Sequence, residues 1–114
     1  MSDFADVAAA ADVPEGELLG VTLPDGVAVC LYNRGGVIGA VGGRCTHAEF
    51  AMSDGVLRDD GTIECVWHGA RFDCRTGEVR RHPAVDPLPV FPVRVERGRI
   101  LVGRATAGAG ERSA

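Results

Sequence analysis

Two cysteine–histidine pairs, Cys45-Thr46-His47 and Cys65-Val66-Trp67-His68, fall near the middle of the chain, with the seventeen residues Ala48 to Glu64 between them. Each pair offers one thiolate and one imidazole. One residue separates the donors in the first pair and two in the second, so each pair can sit at the tip of a tight loop. Two such loops can clamp one metal centre, and any fold the chain adopts must bring them together. The stretch Gly69-Ala70-Arg71-Phe72-Asp73 continues a pattern after the second pair that four metal donors alone do not require.

At 114 residues the chain has room for one domain with a modest core, and none for a catalytic domain behind the metal site. Met1 to Val13 contains an alanine run, Ala8 to Ala11, without a basic leader or a sustained apolar stretch. Neither a signal peptide nor a membrane span is therefore expected, and the cytoplasm is the default location. A net charge of −4 argues against nucleic acid and suits docking onto basic protein patches. Four cysteines would allow three disulfide connectivities in a secreted domain. Here two belong to the metal pairs, and Cys30 and Cys74 read as structural free thiols, since buried cysteine behaves as a small hydrophobe.

Glycine and turn signals punctuate short β-prone runs, the pattern of an all-β domain. Strands are expected at Phe4 to Ala8, Leu18 to Leu23, Val27 to Tyr32, Gly36 to Val41, Thr62 to Val66, Ala70 to Asp73, Val90 to Glu96 and Arg99 to Val102. Turn chemistry joins them at Pro24-Asp25-Gly26, Asn33-Arg34-Gly35-Gly36, Asp59-Asp60-Gly61, Thr76-Gly77 and Arg97-Gly98. Val27, Val29 and Leu31 alternate with Ala28, Cys30 and Tyr32, as Val93 and Val95 do with Arg94 and Glu96, which predicts one buried and one wetter face in each hairpin. Pro83, Pro87, Pro89 and Pro92 make His82 to Pro89 an extended loop, placed to pass over the metal site. Residues 1–103 form the expected domain, and Arg104 to Ala114 lacks periodicity and is expected to be disordered.

Cys45-Thr46-His47, Cys65-x-Trp67-His68-Gly69 and Phe72-Asp73-x-x-Thr76-Gly77, with Pro83-Ala84, Pro87-Leu88-Pro89 and Phe91 to Glu96, resemble the Rieske-type ferredoxins of bacterial non-haem iron oxygenase systems. The resemblance runs from about Phe4 through Val102. It implies a β-sandwich base domain carrying a small two-loop subdomain capped by the proline-rich segment. It also implies one [2Fe–2S] cluster, with Cys45 and Cys65 on one iron and His47 and His68 on the other. The implied role is that of a one-electron carrier and not an enzyme. Electrons would come from a flavin or iron–sulfur reductase and pass to a terminal oxygenase docked near Glu49, Phe50 and Trp67. Phe50 and Trp67 stand where quinol-oxidising Rieske proteins have a disulfide, and Ala70 and Phe72 where those proteins supply hydroxyls. Fewer hydrogen bonds to sulfur disfavour the added electron, so the expected midpoint is at the low end of the Rieske range, about −150 mV. Val66 replaces a frequent proline without touching ligation, and Gly69 permits close backbone approach.

Three other readings remain beside this one. A tetrahedral zinc site in an interaction module would use the same four donors, yet leaves the Phe72-Asp73 to Thr76-Gly77 stretch and the proline segment unexplained. The other two are a Rieske subunit fixed in an enzyme complex and an accessory to iron–sulfur assembly. His82 has no motif partner and reads as a cap or surface residue, and Glu49 reads as solvated. With His47 and His68 committed, no facial set for mononuclear iron can be assembled.

Overall fold

The computed structural model describes residues 4–45, 51–65, 69–81 and 86–104. The expected tail falls largely outside them, from residue 105 onward. The described residues are all-β, with no α-helix and two 3₁₀ turns, at Ala10–Asp12 and Met52–Asp54. The strands are β1 (Ala5–Ala9), β2 (Leu18–Thr22), β3 (Ala28–Arg34), β4 (Val37–Gly42), β5 (Val56–Leu57), β6 (Thr62–Glu64), β7 (Arg71–Asp73), β8 (Val79–Arg81), β9 (Val90–Phe91), β10 (Val93–Glu96) and β11 (Arg99–Val102). They form three antiparallel sheets, ordered β1-β11-β10, β2-β3-β4-β9 and β5-β6-β7-β8.

The first two sheets pack face to face as the base sandwich. Ala8, Ile100 and Val102 from one meet Val29, Leu31, Ala40 and Phe91 from the other in one buried cluster. Pairing of β1 with β11 joins the two ends of this unit. Between β3 and β4 the chain reverses through Gly35-Gly36, and between β10 and β11 through Arg97-Gly98. All four of those residues have positive φ, the two-residue turn whose twist matches its flanking strands.

The third sheet is the small one, and it packs on the other face of the β3–β4 hairpin. Cys30, Tyr32 and Val41 share a second buried cluster with Met52, Ile63, Phe72, Cys74 and Leu88. This corrects the expected alternation: Val29, Cys30, Leu31 and Tyr32 are all buried, because β3 is sandwiched between two cores and has no wet face there. Val95 departs in the other direction and is 48% exposed. Val90 to Glu96 is two strands, since Pro92 lacks the amide that would carry pairing through. The short strands β5 and β8 were not expected; at two and three residues they leave no readable period.

Candidate metal centre

Cys45 and Cys65 each sit at the neck of a loop that the backbone closes. At the first, Arg44 bridges to Ala51, and Met52 N donates to Gly43 O at 2.8 Å. At the second, Cys65 N donates to Ala70 O at 2.8 Å and Gly69 N donates to Cys65 O at 3.0 Å. Gly69 has φ +77°, a conformation that costs a side-chain-bearing residue free energy. The first loop leaves the end of β4, and the second joins β6 to β7, so both rise from the sheet edges that enclose the second core.

Cys45 and Cys65 are both buried, at 5% and 2% exposure, and both belong to that core cluster. Neither is in a disulfide. Two free thiols, placed by two separate loops in one apolar core, fit the thiolate half of a two-cysteine, two-histidine metal set. His47 and His68 lie outside the described residues, as do Glu49, Phe50, Trp67, Val66 and His82. Among the expected site residues, then, the structure brings the two cysteines together and does not describe the rest.

The surroundings of the two thiols are mostly carbon. Ala70 and Phe72 are fully buried, so the two positions read as lacking hydroxyls are filled by apolar side chains. The only tyrosine of the chain, Tyr32, is buried in the same cluster, but its hydroxyl is hydrogen-bonded with the Cys74 thiol. Burial, then the neighbouring Cys74, raises the Tyr32 phenol above its ordinary pKa. Burial likewise raises Cys74, against a smaller lowering by the Tyr32 hydroxyl. Cys30 is pushed up to about 12 by burial alone, and is thus a neutral thiol under ordinary conditions. The expectation that Cys30 and Cys74 are buried free thiols holds.

The described part of the proline segment covers this core. Leu88 is fully buried in the cluster, and its N donates to Gly77 O at 2.8 Å. Gly77 permits the contact: any Cβ there would collide with the Leu88 carbonyl, and φ is +76°. Asp73 builds the turn that presents Gly77, accepting from Arg75 N at 2.8 Å and Thr76 N at 3.1 Å through Oδ1, and from Arg80 Nη2 at 3.0 Å through Oδ2. The Phe72-Asp73 to Thr76-Gly77 signature thus has a mechanical meaning, since it seats the cap.

One group leaves no sequence motif, because it is visible only once β6 and β7 are put in register. Glu64, beside Cys65, pairs directly across from Arg71. Its Oε1 accepts from Arg58 Nη1 at 2.8 Å and lies 3.8 Å from Arg71 Nε. A cavity of about 740 Å³ lies elsewhere, lined by Phe4, Leu23, Val27, Phe91 and Val102 of the base sandwich, and includes neither ligand cysteine.

Residues 3–92 match the family model described as Rieske [2Fe-2S] domain. The chain is 46% identical over 93 residues to the 3-phenylpropionate/cinnamic acid dioxygenase ferredoxin subunit of Escherichia coli K12, spanning 81% of this chain and 85% of that protein. Its fold is similar to the structure titled as a complex of reduced oxygenase and oxidized ferredoxin in carbazole 1,9a-dioxygenase, with a TM-score of 0.82, 31% identity and coverage of 90% and 94%. It is also similar to the ferredoxin of carbazole 1,9a-dioxygenase from Nocardioides aromaticivorans IC177, with a TM-score of 0.81, 32% identity and coverage of 90% and 98%.

Proposed function

The chain belongs to the Rieske [2Fe–2S] domain family, and from that premise we propose how its residues divide the work of a ferredoxin that serves an oxygenase. The cofactor is a [2Fe–2S] cluster, which supplies a one-electron couple when bound. The chain is an electron-transfer component and not the catalyst.

Cys45 and Cys65 hold one iron, and His47 and His68 hold the other. The observation that carries this reading is the burial of Cys45 and Cys65, as free thiols, in one core at the necks of two loops. Cys30 and Cys74 share that core, but Cys30 lies within β3 and Cys74 is hydrogen-bonded with Tyr32, so neither is held on a loop with a histidine. The test is substitution of each donor in turn. Alanine at Cys45, His47, Cys65 or His68 removes the visible absorbance, whereas alanine at Cys30 or Cys74 keeps it. An intact cluster spectrum in Cys65→Ala or His68→Ala would overturn the ligand assignment.

The partners are a flavin or iron–sulfur reductase upstream and a terminal non-haem iron oxygenase downstream, docked over Glu49, Phe50 and Trp67. The relatives' naming as dioxygenase ferredoxins supports the oxygenase, and the acidic balance supports an electrostatic encounter. Reductase-dependent delivery of electrons to an added oxygenase, slowed in Trp67→Ala, tests both. Residues 1–103 make up the working domain. Four free thiols suit a reducing compartment, which supports a cytoplasmic location.

A further inference from the structure

Arg71 is an expensive residue for its position. Its side chain is 24% exposed, and its Nε is buried with no hydrogen-bond acceptor among the described residues. A buried, unsatisfied N–H on a charged group costs free energy that the apolar core around it does not return. The nearest anion, Glu64, is 3.8 Å from that Nε, and its Oε1 is already taken up by Arg58 at 2.8 Å. Two arginines therefore share this carboxylate, with Asp60 acting electrostatically on both arginines and Arg81 standing opposite Arg71 across β7 and β8.

The placement of Arg71 and Glu64 gives their charges a use. Glu64 precedes Cys65 in sequence, and Arg71 faces Glu64 across the β6–β7 pair. The Glu64 carboxylate also lies against Gly69, where a Cβ would stand 3.5 Å from Oε2. The charges thus sit at the neck of the second ligand loop, on a core that includes Cys65 and few polar groups. Reduction adds one negative charge to the metal centre, which a fixed positive charge beside it stabilises and a fixed negative charge beside it opposes.

We propose that Arg71 and Glu64 are opposed positioning charges that set the midpoint potential of the cluster, Arg71 favouring the reduced form and Glu64 the oxidised form. The proposal rests on Cys65 and His68 being ligands. Reductive titration of the full-length holoprotein tests it, with the visible spectrum recorded alongside in Arg71→Gln, Glu64→Gln and Arg71→Lys. Arg71→Gln is expected to lower the midpoint and Glu64→Gln to raise it, each changing the reduced-to-oxidised ratio by up to about tenfold, or roughly 59 mV for a one-electron couple. Arg71→Lys keeps the charge and is expected to restore most of the shift.

A merely structural ion pair would behave differently, because breaking it from either side loosens the same loop and moves the midpoint in the same direction. Shifts of equal sign, unmoved midpoints with the spectrum intact, or an Arg71→Lys protein that behaves like Arg71→Gln would each overturn the proposal. So would loss of the cluster from both Gln variants in chains that stay folded by circular dichroism, which would make the pair a clamp. Absence of any cluster from the unaltered protein is a distinct outcome: it would refute the ligand assignment itself, and the proposal with it.

Discussion

Strand β3 sends Val29 and Leu31 into the sandwich core and Cys30 and Tyr32 into the core that holds Cys45 and Cys65, so a single strand compares the two regions directly. The sandwich core is aliphatic apart from Phe91, is framed mainly by strands of four to seven residues, and is closed by pairing the first strand with the last. The other core contains all four cysteines, is framed on its outer side by strands of two or three residues, and depends on turns built by aspartate side chains. Long pairings and dense apolar contacts let the first region stand by itself, whereas such short strands bury too little to do so. Under the proposed ligation, metal binding would supply folding energy that these short strands do not.

The largest expected effect separates the regions outright. Cys65→Ala abolishes the cluster, and amide exchange should then accelerate at 62–64 and 71–73 while β3 and its neighbours keep their protection. Equal loss of protection in both regions would break the comparison. Next comes packing. Leu31→Ala, in the sandwich, should lower global stability by about 2–5 kcal/mol in denaturant titration. Leu88→Ala should cost a similar amount, yet appear first as release of the cluster at lower denaturant. Gly77→Ala is expected to lift the cap and cost about 1–3 kcal/mol, read as faster bleaching of the visible band.

Acid supplies a smaller effect with a defined sign. Burial raises the Asp73 pKa, but the Arg80 guanidinium and the amides of Arg75 and Thr76 outweigh it and leave the carboxyl below its ordinary value. A depressed folded pKa contributes stability that is complete above roughly pH 4 and is lost as pH falls through the lower, folded value. Exchange of the Arg75 and Thr76 amides should therefore quicken in that window before exchange in the sandwich does. A turn that opens only together with the sandwich would contradict this. Smallest is the contrast among thiols: Cys30, raised to about 12, should resist alkylation at pH 8 in the folded holoprotein.

The fold was legible where a single period governed the residues. The all-β class, the hairpin turn at Gly35-Gly36 and the strand at Arg99–Val102 follow from alternation and turn chemistry. The second face of β3 was not, because Val-Cys-Leu-Tyr buried on both sides carries no polar beat to distinguish two cores from one. The strands β5 and β8 are too short to show a pattern. At the site, the spacing of the cysteine–histidine pairs already contained the ligand hypothesis, since donors must be near one another along each loop. The Glu64–Arg71 pair depends on strand register across seven positions, which no local motif records. Tyr32 and Cys74 meet only because the small sheet folds back onto the sandwich.

A low-potential [2Fe–2S] centre beside an apolar, hydroxyl-poor core is tested most directly by an anaerobic redox titration of the full-length protein followed by visible absorbance. A coloured protein with a one-electron midpoint near the low end of the Rieske range, about −150 mV, is the expected result. A colourless, redox-silent protein containing zinc would contradict the metal centre, and a midpoint well above zero would contradict its surroundings.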